Sequence, residues 1–142
     1  MQIEAKIDDK EVRKLFSQLE RRMGNLLPVM KTIGDVVRTS AVRNFEVGGR
    51  PKWAPLSPRT ILKKGHSRPL IDSSILMGSI NYKAHSDRVG VGTNRVYARI
   101  HQLGGKAGRG KKTDIPARPF LGVQPEDVVE IRETLYDYLL VR

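Results

Sequence analysis

The first part of the chain alternates between apolar and polar side chains at two different spacings. Residues 2–7 alternate singly, which predicts a half-buried strand. From Asp8, apolar side chains recur at helical spacing until Gly24-Asn25. A second helix starts at Pro28, whose missing N–H suits a first turn, and ends at Gly48-Gly49. The apolar stripes of the two helices are Val12, Leu15, Phe16 and Leu19, then Val29, Ile33, Val36, Val37, Ala41 and Phe45.

Shorter elements separated by turn residues follow. Residues 48–70 are rich in proline and basic residues, with a short helix predicted over 57–64. A brief helix at 72–78 comes next. The alternating segments 80–84 and 88–92 then predict a β-hairpin.

The last part of the chain combines a glycine-rich segment with a closing helix. Four glycines among lysines and arginines indicate that residues 104–112 are either disordered or the tip of a protruding hairpin. Residues 120–123 predict a last strand, and Pro125 opens the final helix. Inward-facing apolar residues are predicted at Val96, Ile100 and Leu103 in a helix over 95–102, and at Val128, Ile131, Leu135, Tyr138 and Leu139 in the final helix.

These elements predict an α+β fold. We expect a small, mostly antiparallel sheet with an N-terminal helical hairpin and a C-terminal helix packed on it, and long basic loops that project from it. A chain of 142 residues is long enough for one core. A single domain over 1–142 is therefore expected, with flexible loops at about 47–70 and 104–114.

The charge of the chain is strongly positive and unevenly distributed. The 26 Lys and Arg residues against 15 Asp and Glu give a net charge of +11, which bears on partners and solubility rather than on the fold. Nucleic acid, an acidic protein surface and an anionic membrane are all candidate partners for such a charge. Positive charge is concentrated in residues 50–68 and 95–118, whereas residues 126–142 carry five acids against Arg132 and Arg142. The absence of cysteine excludes disulfides and thiolate metal sites, and favours folding in a reducing cytoplasm. No apolar run approaches the ~20 residues that a membrane-spanning helix needs. We expect no membrane among the partners of this chain.

The residues that usually carry catalysis do not form a recognisable pattern. His66, His85 and His101 lie on different predicted elements without the spacing of a metal site. The glycine-rich segment lacks the Gly-Lys-Ser/Thr step that opens the helix of a phosphate-binding loop. We therefore expect no enzymatic activity, metal or cofactor, and we interpret His101 as a packed or capping histidine.

The basic loops allow three interpretations. Their cations can neutralise nucleic-acid phosphates, keep the protein soluble, or order against an acidic protein neighbour. Trp53, in its proline-rich basic loop, either covers an edge of the core or anchors a partner. The candidate partner-facing or DNA-facing residues are Arg50, Lys52, Trp53, Lys63, Lys64, Lys106, Arg109, Lys111 and Lys112.

Four segments together resemble a known family. They are Trp53–Pro58, Leu70–Leu76, Val91–Thr93 together with Tyr97–Gly104, and Ile115–Gly122, in an order and spacing that extend over most of the chain. In these segments the chain resembles the phage virion morphogenesis, or tail completion, proteins of Mu-type and related tailed phages. The motif residues expected to have structural roles are Pro55, Leu56, Tyr97, His101, Gly104, Pro116, Arg118 and Phe120.

The resemblance implies a structural virion protein that acts in tail completion and head–tail joining. Such proteins act at the neck and commonly form rings, often hexamers, which implies assembly with copies of itself through the basic loops. The implied neighbours are tail-tube, terminator and head-connector proteins, with non-specific contact to DNA. The implied location is the tail end of the virion, and the host cytoplasm during assembly. A non-enzymatic, basic nucleic-acid-binding module remains the alternative.

Overall fold

The computed structural model of the chain describes residues 10–71 and 74–140, apart from the side chains of residues 11–13, 15 and 16. The predicted strand over residues 2–7 lies outside this part. The described residues form six α-helices and two separate two-stranded antiparallel sheets. The helices are α1 (Lys10–Gly24), α2 (Leu27–Val47), α3 (Pro58–Lys64), α4 (Ile75–Gly78), α5 (Ala98–Leu103) and α6 (Pro125–Leu140). The strands are β1 (Asn81–Ala84), β2 (Val89–Gly92), β3 (Gly105–Ala107) and β4 (Thr113–Ile115).

The α+β class, with antiparallel strands and helices at both ends of the chain, is confirmed. The sheet is divided, however: β1 pairs only with β2, and β3 only with β4, among the strands described. The predicted disordered or hairpin segment after Gly104 is a hairpin, with a 3-10 turn (Arg109–Lys111) at its tip.

Helix α2 organises the packing of the other elements. It contacts β1 and β2 as well as α6, whereas α1 packs mainly against α6. The guanidinium of Arg22 donates to the carbonyl of Tyr138, and the hydroxyl of Tyr138 donates to the carbonyl of Asn25. These hydrogen bonds join the end of α1 to α6.

The local signals at both ends of α2 and at the start of α3 were predicted correctly. Pro28 lies in the first turn of α2, and Gly48 ends the helix in the left-handed region at φ 80°. The hydroxyl of Ser57 accepts a hydrogen bond from the backbone N–H of Thr60 and caps α3. Each of these features depends on residues close together in the sequence.

The core lies between α2 and the segments that follow it. Phe45 contacts Trp53 edge-to-face, with ring centroids 5.7 Å apart, and Phe120 with centroids 5.3 Å apart. Such aromatic packing stabilises a core beyond the area it buries. The buried apolar cluster comprises Ala41, Phe45, Trp53, Ile71, Leu76, Ile80, Ala98 and Phe120.

The predictions for the short helix and the last strand were partly wrong. Helix α5 begins at Ala98 rather than Arg95, so Val96 is 95% exposed and Leu103 is also exposed, while Ala98 is buried. The segment 120–123 is not a strand. The backbone N–H groups of Phe120 and Leu121 both donate to Oε1 of Gln102, at 3.0 Å, so a side-chain amide replaces a strand partner.

One prediction for the closing helix was also wrong. Val128 was expected on the buried face of α6 but is exposed, and Asp127 is buried instead. The carboxylate of Asp127 accepts from the hydroxyl of Ser40 and, at 2.8 Å, from the backbone N–H of Gln124. These partners offset the cost of burying the acid and fix the rotation of the helix.

Candidate binding groove

The motif segments meet around one groove. It has a volume of about 600 Å³ and lies where α3, α4 and α5 approach the segments 55–57 and 115–118. A concavity of this size is typical of a binding site. Its lining residues are Pro55, Leu56, Ser57, Thr60, Lys64, Leu70, Ser74, Ile75, Leu76, Tyr97, His101, Ile115, Pro116 and Arg118.

Arg118 holds two walls of the groove together. Its Nε donates to the carbonyl of Ala54 at 2.9 Å and its Nη2 to the carbonyl of Pro55 at 3.2 Å, while its backbone N–H donates to the carbonyl of His101. The residue is only 7% exposed. Burial lowers the pKa of the guanidinium, which remains charged because arginine does not deprotonate in proteins. The groove therefore contains a buried positive charge held by neutral carbonyls.

His101 lies beside Arg118 in a half-buried position. Its Nδ1 is buried and has no hydrogen-bond partner among the described residues. Burial is the largest cause that lowers the pKa of His101, and the positive charges of Arg118 and Lys64 lower it further. The Tyr97 ring meets the imidazole edge-on, with centroids 6.1 Å apart. The prediction of a packed histidine fits this position, but its unpaired nitrogen was not expected.

The groove combines apolar walls with a cationic end. Its walls are mostly proline, leucine and isoleucine side chains, and no acid is among the described residues that line it. Lys64 is half-buried at the end of α3 and its Nζ donates to the carbonyl of Arg68 at 3.2 Å. This chemistry suits apolar side chains that carry a carboxylate beside them, because the anion would be drawn to Arg118.

Trp53 does not line the groove, and its prediction as a partner-facing residue was wrong. It is 6% exposed in the core, and its Nε1 donates to the carbonyl of Pro119 at 2.9 Å. The structure therefore agrees with the first interpretation of Trp53, in which its side chain covers an edge of the core. The tryptophan also ties residues 48–53 to the segment that carries Arg118.

Arg50 is likewise occupied within the molecule rather than presented to a partner. Its Nε donates to Oδ1 of Asn44 at 2.9 Å and its Nη2 to the carbonyl and hydroxyl of Ser40, both at 2.7 Å. Its Nη1 forms an ion pair with Glu126 at 2.9 Å. Sequence reasoning missed this network, although Ser40 and Asn44 are polar residues on the apolar stripe of α2, which is a detectable signal.

The other basic candidates are distributed over two surfaces. Lys52 and Lys63 are exposed, whereas Lys64 borders the groove. The remaining four are exposed on the β3–β4 hairpin, here called the basic hairpin (residues 105–115), and they are Lys106, Arg109, Lys111 and Lys112. The hairpin follows Gly104, which has a φ of 74° and lies so close to the next segment that a Cβ would be 2.8 Å from the backbone nitrogen of Ala117. Both features require glycine at this position.

Six of the eight motif residues line the groove: Pro55, Leu56, Tyr97, His101, Pro116 and Arg118. Phe120 lies in the core beside it, and Gly104 makes the close approach behind it. Sequence reasoning did not identify Leu70, Ile75 or Ile115 as lining residues, because they were recognised only as parts of the motif segments. The four motif segments, far apart in sequence, thus form one surface.

Two properties of the described residues bear on other classes of function. Residues 10–71 and 74–140 contain no group of three or more His, Cys, Asp or Glu side chains arranged to hold a metal ion. Over the same residues, none of the helices has the length and apolar character that crossing a membrane requires.

Comparison with known proteins gives a consistent result. A family model for the phage virion morphogenesis family matches residues 7–140. Among curated proteins, the Mu-like prophage FluMu G protein 2 of Haemophilus influenzae is 41% identical over 137 residues, which cover 96% of this chain and 95% of that protein. The FluMu G protein 1 of the same organism is 27% identical over 144 residues, covering 95% and 93%. No solved structure matches the chain significantly.

Proposed function

Because this chain belongs to the phage virion morphogenesis family, we propose that it is a structural protein that completes the tail and joins it to the head at the neck. The observation that carries the proposal is the match to the family over residues 7–140, together with a relative that is similar over 95% of its own length. The proposed location is the tail end of the virion, reached after assembly in the host cytoplasm.

The structure supports an assembly role for the surfaces of this protein. The basic hairpin carries four exposed cations, and α6 carries five acids against Arg132. Oppositely charged patches on different elements of one chain favour a head-to-tail contact between copies, which closes into a ring when the rotation permits. A ring at the neck, assembling through the basic loops, is therefore part of the proposal.

The test is to delete this gene from the phage that encodes it and to examine induced lysates by electron microscopy. We expect DNA-filled heads and separate tails to accumulate, and joined virions to return when the intact gene is supplied on a plasmid. Normal joined virions in the deletion strain would contradict the proposal. Heads without DNA, or no tails, would assign the protein to a different assembly step.

A nucleic-acid-binding module is the second candidate, favoured by the four exposed cations of the basic hairpin. Under this alternative the purified monomer binds any DNA duplex, and the logarithm of its affinity falls linearly with the logarithm of salt concentration. Titration of a labelled duplex at several salt concentrations measures that slope. The neck proposal expects weak duplex binding, because a channel that grips phosphates would hinder the passage of DNA.

A further inference from the structure

The outward side of α6 carries an exposed apolar stripe. Val129, Tyr136 and Leu140 are 59%, 44% and 50% exposed. The second and third lie seven and eleven residues after the first, a spacing that places them on one side of a helix with 3.6 residues per turn. Both α1 and α2 pack against α6, and these three side chains remain exposed.

Acidic side chains flank one side of this stripe. Glu126 and Glu133 each lie about one turn from Val129 and are exposed, whereas Arg132 is exposed on the other flank. The helix is thus an acidic, apolar surface on a chain whose net charge is +11. Its exposed side, called the α6 stripe (Val129, Tyr136, Leu140 and the adjacent glutamates), fits a partner that is apolar and cationic.

The groove has that complementary chemistry. Ile75 and Tyr97 are exposed at its apolar wall, and Arg118 supplies a buried charge without a carboxylate partner in the described part of the chain. A buried cation held only by neutral carbonyls is costly, and a carboxylate that enters the groove would offset that cost. The volume of about 600 Å³ has room for several side chains from a helix surface.

We propose that the groove binds the α6 stripe of a second copy of this chain. The inference rests on the proposed assembly role and specifies its contact: apolar stripe residues enter the groove and a flanking glutamate approaches Arg118. A second copy is the occupant because both complementary surfaces occur on every copy of the chain. The groove is built by α3, α4 and α5, whereas α6 packs on α1 and α2, so the contact is head-to-tail.

The test measures self-association of the full chain by native mass spectrometry and sedimentation velocity. Ile75→Glu places an acid in the groove, and Val129→Glu replaces an apolar side chain of the stripe with an acid. Each variant is expected to weaken self-association at least tenfold, as loss of a central interface contact does. Matched controls are Leu62→Glu, exposed on α3 outside the groove, and Val128→Glu, exposed about 100° around α6. Both controls should associate as the wild type does.

A mixture of the two defective variants provides a sharper result. The intact stripe of Ile75→Glu can enter the intact groove of Val129→Glu, so equimolar mixing should produce heterodimers. Growth beyond the dimer should stop, because the two remaining surfaces both carry the new glutamate and repel each other. Circular dichroism and thermal unfolding confirm that each variant is folded.

Several outcomes would overturn the inference. The wild type could remain monomeric at high concentration. Either defective variant could associate as strongly as the wild type does. The mixture of the two variants could form no heterodimer. Failure here is distinct from failure of the proposed function. If the gene deletion leaves heads and tails unjoined while both defective variants still self-associate, the neck role stands and only this contact is wrong. If virions join without the gene, the role fails whatever the protein does in solution.

Discussion

Gly34 shows how a missing side chain sets the distance between two elements. It lies in the middle of α2 where the helix crosses the β1–β2 hairpin. A Cβ there would be 2.6 Å from Cδ2 of Tyr82 and 2.9 Å from Cγ2 of Val89. A glycine inside a helix either weakens it or lets a neighbour approach closely, and the second role is the one observed here.

Replacing Gly34 with alanine should destabilise the protein, although alanine is the better helix former. The gain in helix propensity is about 1 kcal/mol, whereas forcing Tyr82 away from α2 costs about 1–3 kcal/mol. We expect a net loss of roughly 1 kcal/mol in the free energy of unfolding, measured by urea denaturation. Gly24→Ala is the control, because nothing lies within 4 Å of a Cβ at that position. Equal stability of the two variants would contradict the packing argument.

His101 should make stability depend on pH in a defined direction. Burial, Arg118 and Lys64 lower its pKa in the folded state, so the unfolded chain binds its proton more readily. The stabilisation is fully present above pH 6.5, which is the ordinary pKa of histidine. It is lost as the pH falls through the lower pKa of His101 in the folded state.

The check is urea denaturation at a series of pH values on either side of that ordinary value. The wild type should lose stability as the solution is acidified, and His101→Gln should lose less over the same range. Leu62→Gln, an exposed change outside the groove, should show the same dependence of stability on pH as the wild type. A His101→Gln variant with the same slope as the wild type would show that another group controls it.

At the scale of elements, the turn after α2 is held by Arg50 rather than by backbone regularity. Its guanidinium bonds to Ser40 and Asn44 on α2 and pairs with Glu126 at the start of α6. One side chain thus connects two helices, which explains how an irregular segment keeps Trp53 in the core.

Arg50→Met should therefore lower the free energy of unfolding by about 2 kcal/mol, the usual scale for losing hydrogen bonds to a charged group. The carbonyl of Ser40 and Oδ1 of Asn44 would lose this donor. Chemical denaturation measures the change. Lys52→Met, at an exposed position of the same turn, should alter stability by no more than about 0.5 kcal/mol. Similar losses in both variants would mean that Arg50 acts only through the general charge of the protein.

The basic hairpin is the element on which the two candidate functions differ most. Its four cations are exposed, so their removal should leave the fold intact. The variant changes Lys106, Arg109 and Lys112 to serine, and Lys111 to asparagine because its φ is 54°.

Under the assembly proposal, this variant remains folded but loses self-association at physiological salt. Under the nucleic-acid alternative, it instead loses duplex binding, with a salt slope reduced by about one for each phosphate contact removed. Sedimentation and duplex titration on the same preparation distinguish these results. Unchanged behaviour in both measurements would leave the cations with a solubility role only.

At the scale of the whole molecule, positive and negative charge lie on different elements. The basic hairpin and the cationic end of the groove contrast with the acidic α6. Self-association through such surfaces should weaken as salt rises, because exposed charges are screened beyond about 10 Å at 0.1 M salt. Sedimentation velocity at low and high salt provides the measurement. Association that strengthens with salt would indicate a contact governed by apolar burial alone.

Much of the local structure follows from sequence, because each prediction depended on neighbours in the chain. The limits of α2, the Ser57 cap, the β1–β2 hairpin and the start of α6 at Pro125 all come from residues within a turn or two of each other. The motif residues were also identified in sequence, but as separate segments. Their convergence was not apparent, since nothing in a single segment indicates which others it will meet.

The sequence by itself determined which residues could share a helix face, where the chain must turn, and where its charge lies. Only the tertiary structure decided that Trp53 and Arg50 form their hydrogen bonds within the molecule. It also decided that Gln102 replaces a strand partner for residues 120–121, and that separated motifs enclose one groove. The physical reason is that periodicity and capping act over a few residues. Burial and hydrogen-bond pairing are settled only when distant surfaces pack together.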